Sequence, residues 1–192
     1  MEVVHSNQVV RPATHVEQEL ETRKVFGSFV LFLFGMSVPY FLMINVRFIM
    51  AAGFVPSSSD QTTGAIEAIL TLISGLTAWA AIRAIRGGNT SAYRVNLGLT
   101  LVLGWVSTLM MAWEWWYHPF DAMSHYGETF LSTVGLVVVM NLSGLLTLWA
   151  SRARAKRLGS DQALVKGYRL AGMYWIFLVV AALVMYIELY FA

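Results

Sequence analysis

The sequence contains no cysteine and little charge among its 192 residues. Without cysteine the chain has no disulfide framework, no thiolate metal site, no iron–sulfur cluster and no cysteine nucleophile. Charged residues make up 12% of the chain, which is roughly half of the ~25% found in ordinary globular domains. Hydrophobic residues make up 57%, and the mean hydropathy is +0.61. Because so few polar residues are available to cover a surface in water, the composition predicts an integral membrane protein.

The few charges are nearly balanced in sign. The chain has 13 lysines and arginines against 11 aspartates and glutamates, which gives a net charge of +2. A nucleic-acid-binding protein needs a clear excess of basic residues, and a disordered chain has far fewer apolar residues than this one. We therefore exclude both classes and expect no nucleic-acid partner.

Five long apolar runs are separated by polar or turn-forming segments. A bilayer-spanning helix needs about 20 mostly apolar residues, and each run reaches that length without alternating polar positions. The sequence therefore predicts an all-α integral membrane bundle of five transmembrane helices. The predicted spans are residues 25–49, 62–85, 95–116, 129–150 and 170–191.

The segment before the first span is polar and has no apolar stretch of the signal-peptide type. We expect residues 1–24 to form a polar tail and residues 25–192 to form the transmembrane domain. Within the tail, residues 16–24 are interpreted either as a short interfacial helix or as an unstructured segment. Residues 151–166, between the last two spans, are expected to end one helix and separate it from the next.

The basic residues lie on one side of the predicted bundle. All but Arg47 of the 13 lysines and arginines fall in the tail, or in the connections after the second and fourth spans and the residues that flank them. Because lysine and arginine concentrate in cytoplasmic loops of membrane proteins, this pattern places the N-terminus in the cytoplasm and the C-terminus outside.

Ionisable residues avoid the middle of all five spans. The carboxylates within or beside the spans lie near the ends that face outside, at Glu67, Glu114, Glu128 and Glu188. Proton pumps and ion carriers keep ionisable residues on a pathway through the membrane. The sequence therefore disfavours a small carrier.

Two pairs of residues on the outer side have the spacing of a shared helical face. Glu114 and His118 are four residues apart, and His125 and Glu128 are three apart. Two carboxylates and two imidazoles suit zinc, iron or copper, so these four are the candidate ligands of a metal-binding subunit or enzyme. The interpretation we favour is that they are polar loop residues and bind no metal, since Pro119 interrupts any helix between the pairs.

None of the predicted spans contains a histidine in its core. The histidines lie in the tail or in the outer connection, at His5, His15, His118 and His125. Haem iron in a membrane bundle needs such an axial ligand, so we expect this chain to bind no haem.

Several segments resemble subunit III of the haem-copper (cytochrome c) oxidases. Residues 103–120, LGWVSTLMMAWEWWYHPF, are similar to the family's Leu-Gly run that ends in Glu-Tyr or Glu-Trp at the outer face. Residues 126–131, YGETFL, are similar to Tyr-Gly-Ser-Thr-Phe-Phe at the start of the next helix. Gly135 and Gly144 match glycines of the family. Residues 174–177, YWIF, are similar to the Tyr-Trp-His-Phe stretch near the end of the family's sequences. Residues 72–89, which include most of the second predicted span, are similar to the corresponding helix of the family and the Gly-Asp segment that follows it.

The resemblance covers residues 26–191 and fits the short five-helix bacterial form of the family. It implies a non-catalytic accessory subunit of a respiratory oxidase, in the cytoplasmic (inner) membrane of a bacterium or archaeon. Such a subunit packs against the catalytic haem-copper subunit I and other oxidase subunits, holds phospholipids, and supports oxygen and proton delivery. Haem and copper are expected in the partner, which makes the whole complex a cytochrome c or quinol oxidase. An accessory subunit of a nitric oxide reductase is the alternative.

Eight residues are expected to contribute to lipid or subunit packing, and none of them to catalysis or cofactor binding. They are Trp79, Gly104, Glu114, Tyr126, Gly135, Gly144, Tyr174 and Trp175.

The chain also departs from the family at polar positions. The family's paired histidines on the fourth span fall on Val137 and Met140, and the histidine and aspartate of the last span fall on Ile176 and Val179. The family's buried glutamate of the first span falls on Gly35. The sequence therefore predicts a divergent member that lacks any role dependent on those groups.

Overall fold

The computed structural model describes residues 15–158 and 162–191 as five α-helices joined by turns. Each helix contains a stretch long and apolar enough to cross a membrane. The all-α class and the multi-pass membrane architecture are therefore confirmed for the described part of the chain. The helices are α1 (His15–Ala51), α2 (Gln61–Arg86), α3 (Thr90–Trp116), α4 (His125–Leu158) and α5 (Gln162–Tyr190).

The helices continue past the apolar runs from which they were predicted. The expected separator at residues 151–166 is wrong for most of its length, because α4 continues to Leu158 and α5 already begins at Gln162. Alanine, arginine, lysine and leucine dominate residues 152–158, and all four are strong helix formers. The 34 residues of α4 reach about 51 Å, well beyond a ~30 Å hydrocarbon layer.

The first helix begins well before the first apolar run. Residues 16–24 are helical and continuous with the span, so they form neither a separate interfacial helix nor an unstructured segment. The remainder of the predicted tail, residues 1–14, lies outside the described residues. The chain divides into a unit that ends at Gly35 and a second unit that begins at Met36. The second unit contains the end of α1 and all of α2 to α5.

The starts of α2 and α3 are fixed by side-chain caps. Asp60 Oδ1 accepts hydrogen bonds from the amides of Thr62 and Thr63, both at 3.1 Å, and Thr63 Oγ1 donates to Asp60 Oδ2 at 2.6 Å. These bonds favour the charged carboxylate and hold the pKa of Asp60 below its usual range. Asn89 Oδ1 accepts from the Ala92 amide at 2.9 Å, directly after Gly88, whose φ of +74° suits glycine.

Four of the helices form a closed ring. α2 packs against α3 and α5, and α4 packs against the same two helices. Short connections make sequential helices antiparallel, so the bundle has two chemically different ends. We call the end at the α1–α2 and α3–α4 connections, where α5 also finishes, the carboxylate end. The basic end is the one at the α2–α3 and α4–α5 connections, which carries Arg86 and Arg157.

One tryptophan joins the four helices of the ring. Trp175 of α5 is 1% exposed and donates from Nε1 to Ser74 Oγ of α2 at 3.2 Å. Its indole fits against α3 and α4 because both helices carry glycine there. A Cβ at Gly104 would lie 2.7 Å from Trp175 Cζ2, and one at Gly144 would lie 2.8 Å from Cε3. These glycines allow the backbones of α3 and α4 to approach the indole ring closely.

Candidate functional site at the carboxylate end

Three glutamates near the carboxylate end are buried inside the bundle. Glu67 of α2 is 5% exposed, Glu114 of α3 is 6% exposed and Glu188 of α5 is 5% exposed. The sequence places them near helix ends but gives no indication that they point inward. Carboxylates are rarely buried without a partner, so their surroundings are the most informative part of the molecule.

Glu114 and Tyr190 connect α3 to the end of α5. The Tyr190 hydroxyl donates a short hydrogen bond to Glu114 Oε1. The tyrosine ring reaches this position because α2 has a glycine opposite it: a Cβ at Gly64 would lie 2.6 Å from Tyr190 Cζ. The contact therefore depends on three helices, with one group contributed by each.

A small cavity lies beside this hydrogen bond. Its volume is about 30 Å³, enough for one or two waters at about 10–15 Å³ each. Its polar lining comes from Glu67 and Thr71 of α2, Glu114 of α3 and Tyr190 of α5. Thr71 Oγ1 and Glu67 Oε1 are buried and have no hydrogen-bond partner among the described residues. The cavity therefore brings unsatisfied polar atoms into an otherwise apolar enclosure, whose lining includes Met111, Val134, Val137, Ala182 and Met185.

Arg47 is the basic residue of this end, and it is fully buried at 0% exposed. Its Nη2 donates to the Phe54 carbonyl at 2.9 Å, and its guanidinium lies 5.0 Å from the centroid of the Tyr126 ring. Its positive charge also acts on Glu188. The sequence shows Arg47 only as an exception to the one-sided distribution of basic residues. A lone arginine near the end of an apolar run is usually interpreted as an anchor that reaches the membrane surface.

Tyr126 and Gly127 fix the beginning of α4. The buried Tyr126 hydroxyl donates to the Leu189 carbonyl at 3.2 Å, and its ring meets Phe120 edge-on with centroids 5.1 Å apart. A Cβ at Gly127 would lie 2.3 Å from the Asp121 carbonyl oxygen. Glycine is therefore required after Tyr126 for steric reasons, since no larger residue fits at position 127 without moving the loop.

The four candidate metal ligands are not assembled into one site. Glu114 is buried against Tyr190, while His125 and Glu128 are exposed on the first turn of α4. His118 lies beyond the end of α3, with Nδ1 3.2 Å from the Trp115 carbonyl oxygen, so it does not continue the helical face of Glu114. Across residues 15–158 and 162–191, no group of three or more His, Asp or Glu side chains is arranged to hold a metal ion.

Most of the eight predicted packing residues contact other parts of this same chain. Besides the contacts already described, Tyr174 hydrogen-bonds Ser143 of α4 through the two hydroxyls at 2.7 Å. A Cβ at Gly135 would lie 3.4 Å from Trp115 Nε1. Trp79 differs from the others: its ring is 52% exposed, and the Arg83 guanidinium lies 4.7 Å from its centroid. Among the eight, Trp79 is thus the residue directed outward, where a lipid or another subunit can reach it.

The fold defines a multi-pass membrane protein in which a four-helix ring buries three glutamates near one of its ends. The model of the family described as cytochrome c oxidase subunit III matches residues 61–192, which include α2 to α5. The chain belongs to the cytochrome c oxidase subunit III family, and the resemblance inferred from the sequence is confirmed.

Three relatives illustrate the relationship, each named cytochrome c oxidase subunit 3. The one from Spodoptera frugiperda is 30% identical over 126 residues, which cover 65% of this chain and 86% of the relative. The one from Locusta migratoria is 30% identical over 169 residues, which cover 86% of this chain and 62% of the relative. The one from Pisaster ochraceus is 33% identical over 120 residues, which cover 62% of this chain and 46% of the relative.

Proposed function

We propose that this chain is a non-catalytic accessory subunit of a haem-copper respiratory oxidase. The observation that carries the proposal is the match of the subunit III family to residues 61–192. The buried hydrogen bonds and the close glycine contacts of the ring support a non-catalytic role, because these side chains hold the helices of this chain together. Haem and copper belong in this proposal to the catalytic partner, and this chain contributes structure around it.

The proposed partner is the catalytic haem-copper subunit, joined by other oxidase subunits. A helix that contacts a partner or lipid keeps apolar side chains exposed in the isolated chain. The part of α1 in the second unit fits this description, since it keeps large apolar side chains exposed, at Phe41, Leu42, Phe48 and Ile49. We propose that α1 contributes much of the surface that other subunits or lipid cover.

We propose that phospholipids bind near Trp79 and Arg83, in support of the oxygen and proton delivery that the family resemblance implies. Both residues lie toward the basic end of α2, where the aromatic ring and the guanidinium are stacked and exposed. Tryptophan favours the headgroup level of a bilayer, and arginine pairs with phosphate in two-point geometry. The pair therefore has the chemistry of a headgroup contact.

The proposed orientation places the N-terminus in the cytoplasm and the C-terminus outside, in the cytoplasmic membrane of a bacterium or archaeon. The orientation is supported by the basic residues of the α2–α3 and α4–α5 connections. The choice of membrane rests on the resemblance of residues 26–191 to the bacterial form of the family. The basic end then faces the cytoplasm and the buried glutamates lie near the outer surface.

Oxygen-consumption curves of the oxidase complex, purified with and without this chain, test the accessory role. The two preparations should start at the same rate and contain the same haem, because the catalytic centre lies in the partner. The preparation without the chain should then lose activity earlier during sustained turnover. Adding back the wild-type chain should restore the longer activity. Complete inactivity from the first turnovers, or equal endurance of both preparations, would contradict the proposal.

A further inference from the structure

We propose that the cavity between α2, α3 and α5 binds water and one exchangeable proton, with the proton on Glu67 and the negative charge on Glu114. The ligands of this site are therefore a proton and one or two water molecules. The cavity lies at the carboxylate end of the bundle, and its chemistry is distinct from the accessory role. Proton binding there depends only on residues of this chain and not on its partners.

The cavity holds two acids without a neighbouring base. Among the described residues that line it, none is a lysine, arginine or histidine. Glu67 experiences the charges of Glu114 from α3 and Asp60 from the start of α2, and α5 contributes the phenol side chains of Tyr186 and Tyr190. α4 contributes the apolar Val134 and Val137. Two adjacent carboxylates in an apolar enclosure do not both ionise, so the pair retains a proton.

The positive charge of Arg47 is directed elsewhere. Arg47 does not line the cavity, and it lies over the ring of Tyr126 and acts on Glu188. Glu188 therefore has a cation to stabilise its ionised form, whereas Glu67 has no comparable group in the described part of the chain. The acids that line the cavity therefore lack a cation that could compensate a second negative charge.

The hydrogen bonds assign the proton within the pair. Glu114 accepts the hydroxyl proton of Tyr190, and a donated hydrogen bond favours the carboxylate form of the acceptor. Glu67 Oε1 receives no such donor from the described residues. The neutral form of Glu67 has its own O–H to donate, and the cavity beside it is where a water can accept it.

Thr71 supplies the second observation that points to a bound ligand. It follows Glu67 by four residues and shares its helical face, and its buried Oγ1 lines the cavity without a partner among the described residues. A buried water typically makes two to four hydrogen bonds. A water in the cavity of about 30 Å³ can form that number of hydrogen bonds with the side chains of Glu67, Thr71 and Glu114.

Infrared difference spectra of the chain, purified with the subunits that accompany it, test the protonation. At neutral pH the Glu67→Gln variant should lack one protonated-carboxyl stretching band of the wild type. The wild-type minus variant difference spectrum should therefore contain that band. Glu128→Gln is the matched control and should leave that band in place, since this side chain is exposed on the first turn of α4 and does not line the cavity. An unchanged band in Glu67→Gln would overturn the proposal. So would a band that disappears when sodium replaces choline in the buffer, because the pair would then hold a metal cation.

A second pair of variants tests the water without removing an acid. Thr71→Val keeps the shape of the side chain and removes its hydroxyl, so it should shift the Glu67 carboxyl band in frequency. Thr71→Ser keeps the hydroxyl and should leave the band at the wild-type position. A high-resolution cryo-EM map of the wild-type complex should show one or two waters within hydrogen-bond distance of Glu67 and Thr71. No shift in Thr71→Val, or lipid-tail density in the cavity, would overturn the proposal.

Discussion

Replacing Trp175 with alanine should lower the free energy of unfolding of the chain by about 3–5 kcal/mol, the usual cost of removing a large buried aromatic side chain. The effect should be at the high end because the indole touches α2, α3 and α4 at once. Rigid glycine-lined backbone on two sides cannot collapse into the space. Unfolding of the purified chain in mixed micelles with increasing dodecyl sulfate, followed by circular dichroism, measures the difference.

Trp79→Ala provides the matched control. It removes the same side chain from the same bundle, but at a position that is half exposed. Surface substitutions usually change stability by about 0.5 kcal/mol or less, so this variant should unfold with the wild type. Equal losses in the two variants would show that Trp175 does not join the helices of the ring.

Replacing Arg47 with methionine should lower the free energy of unfolding by about 1–3 kcal/mol, the range seen when a buried hydrogen-bonding group loses its partner. The substitution keeps an apolar side chain of similar length but removes the positive charge that acts on the buried Glu188, whose carboxylate oxygens have no hydrogen-bond partner among the described residues even in the wild type. It also removes the bond to the Phe54 carbonyl and the contact with the ring of Tyr126. The same unfolding measurement in mixed micelles detects the loss.

A double-mutant cycle separates the charge interaction from the other contacts. If Arg47 neutralises Glu188, the variant that combines Arg47→Met with Glu188→Gln should lose less stability than the sum of the single variants. Arg86→Met is the control for a general effect of removing a basic residue, because Arg86 is exposed at the basic end. Strict additivity of the two single losses would show that Arg47 and Glu188 do not interact.

The number and type of the helices could be predicted because lipid imposes a simple length requirement. A run of about 20 apolar residues satisfies it, and all five runs proved to be helices. Their bounds could not be predicted in the same way. A helix continues wherever the sequence favours helical backbone hydrogen bonds, as in residues 152–158. Hydropathy detects only the part of the helix that is apolar enough to lie in lipid.

The buried acids illustrate what the sequence could not provide. Glu67 and Thr71 lie four residues apart, and Gly64 precedes Glu67 by three, so a polar stripe on one face of α2 was present in the sequence. Whether that stripe faces lipid, a partner or the interior depends on how the helices are rotated in the bundle. In the observed rotation Tyr190 lies against Gly64 and donates to Glu114, and these contacts join residues far apart in the chain.

The motifs that carry the family resemblance have mostly structural causes. Gly127 follows Tyr126 because the loop backbone at Asp121 leaves no space for a Cβ, and Gly104 and Gly144 make room for Trp175. A sequence comparison detects such positions without revealing what they contact. The resemblance therefore indicated the family correctly, while the contacts had to come from the structure.

Purification of this chain through an affinity tag, followed by an optical spectrum of the complex, tests the central proposal most directly. A subunit of a haem-copper oxidase should elute with a many-helix, haem-bearing partner, and the haem absorbance and oxygen consumption should stay in the same fraction through size exclusion. A stable, haem-free complex that contains no such partner would contradict the assignment of this chain to an oxidase.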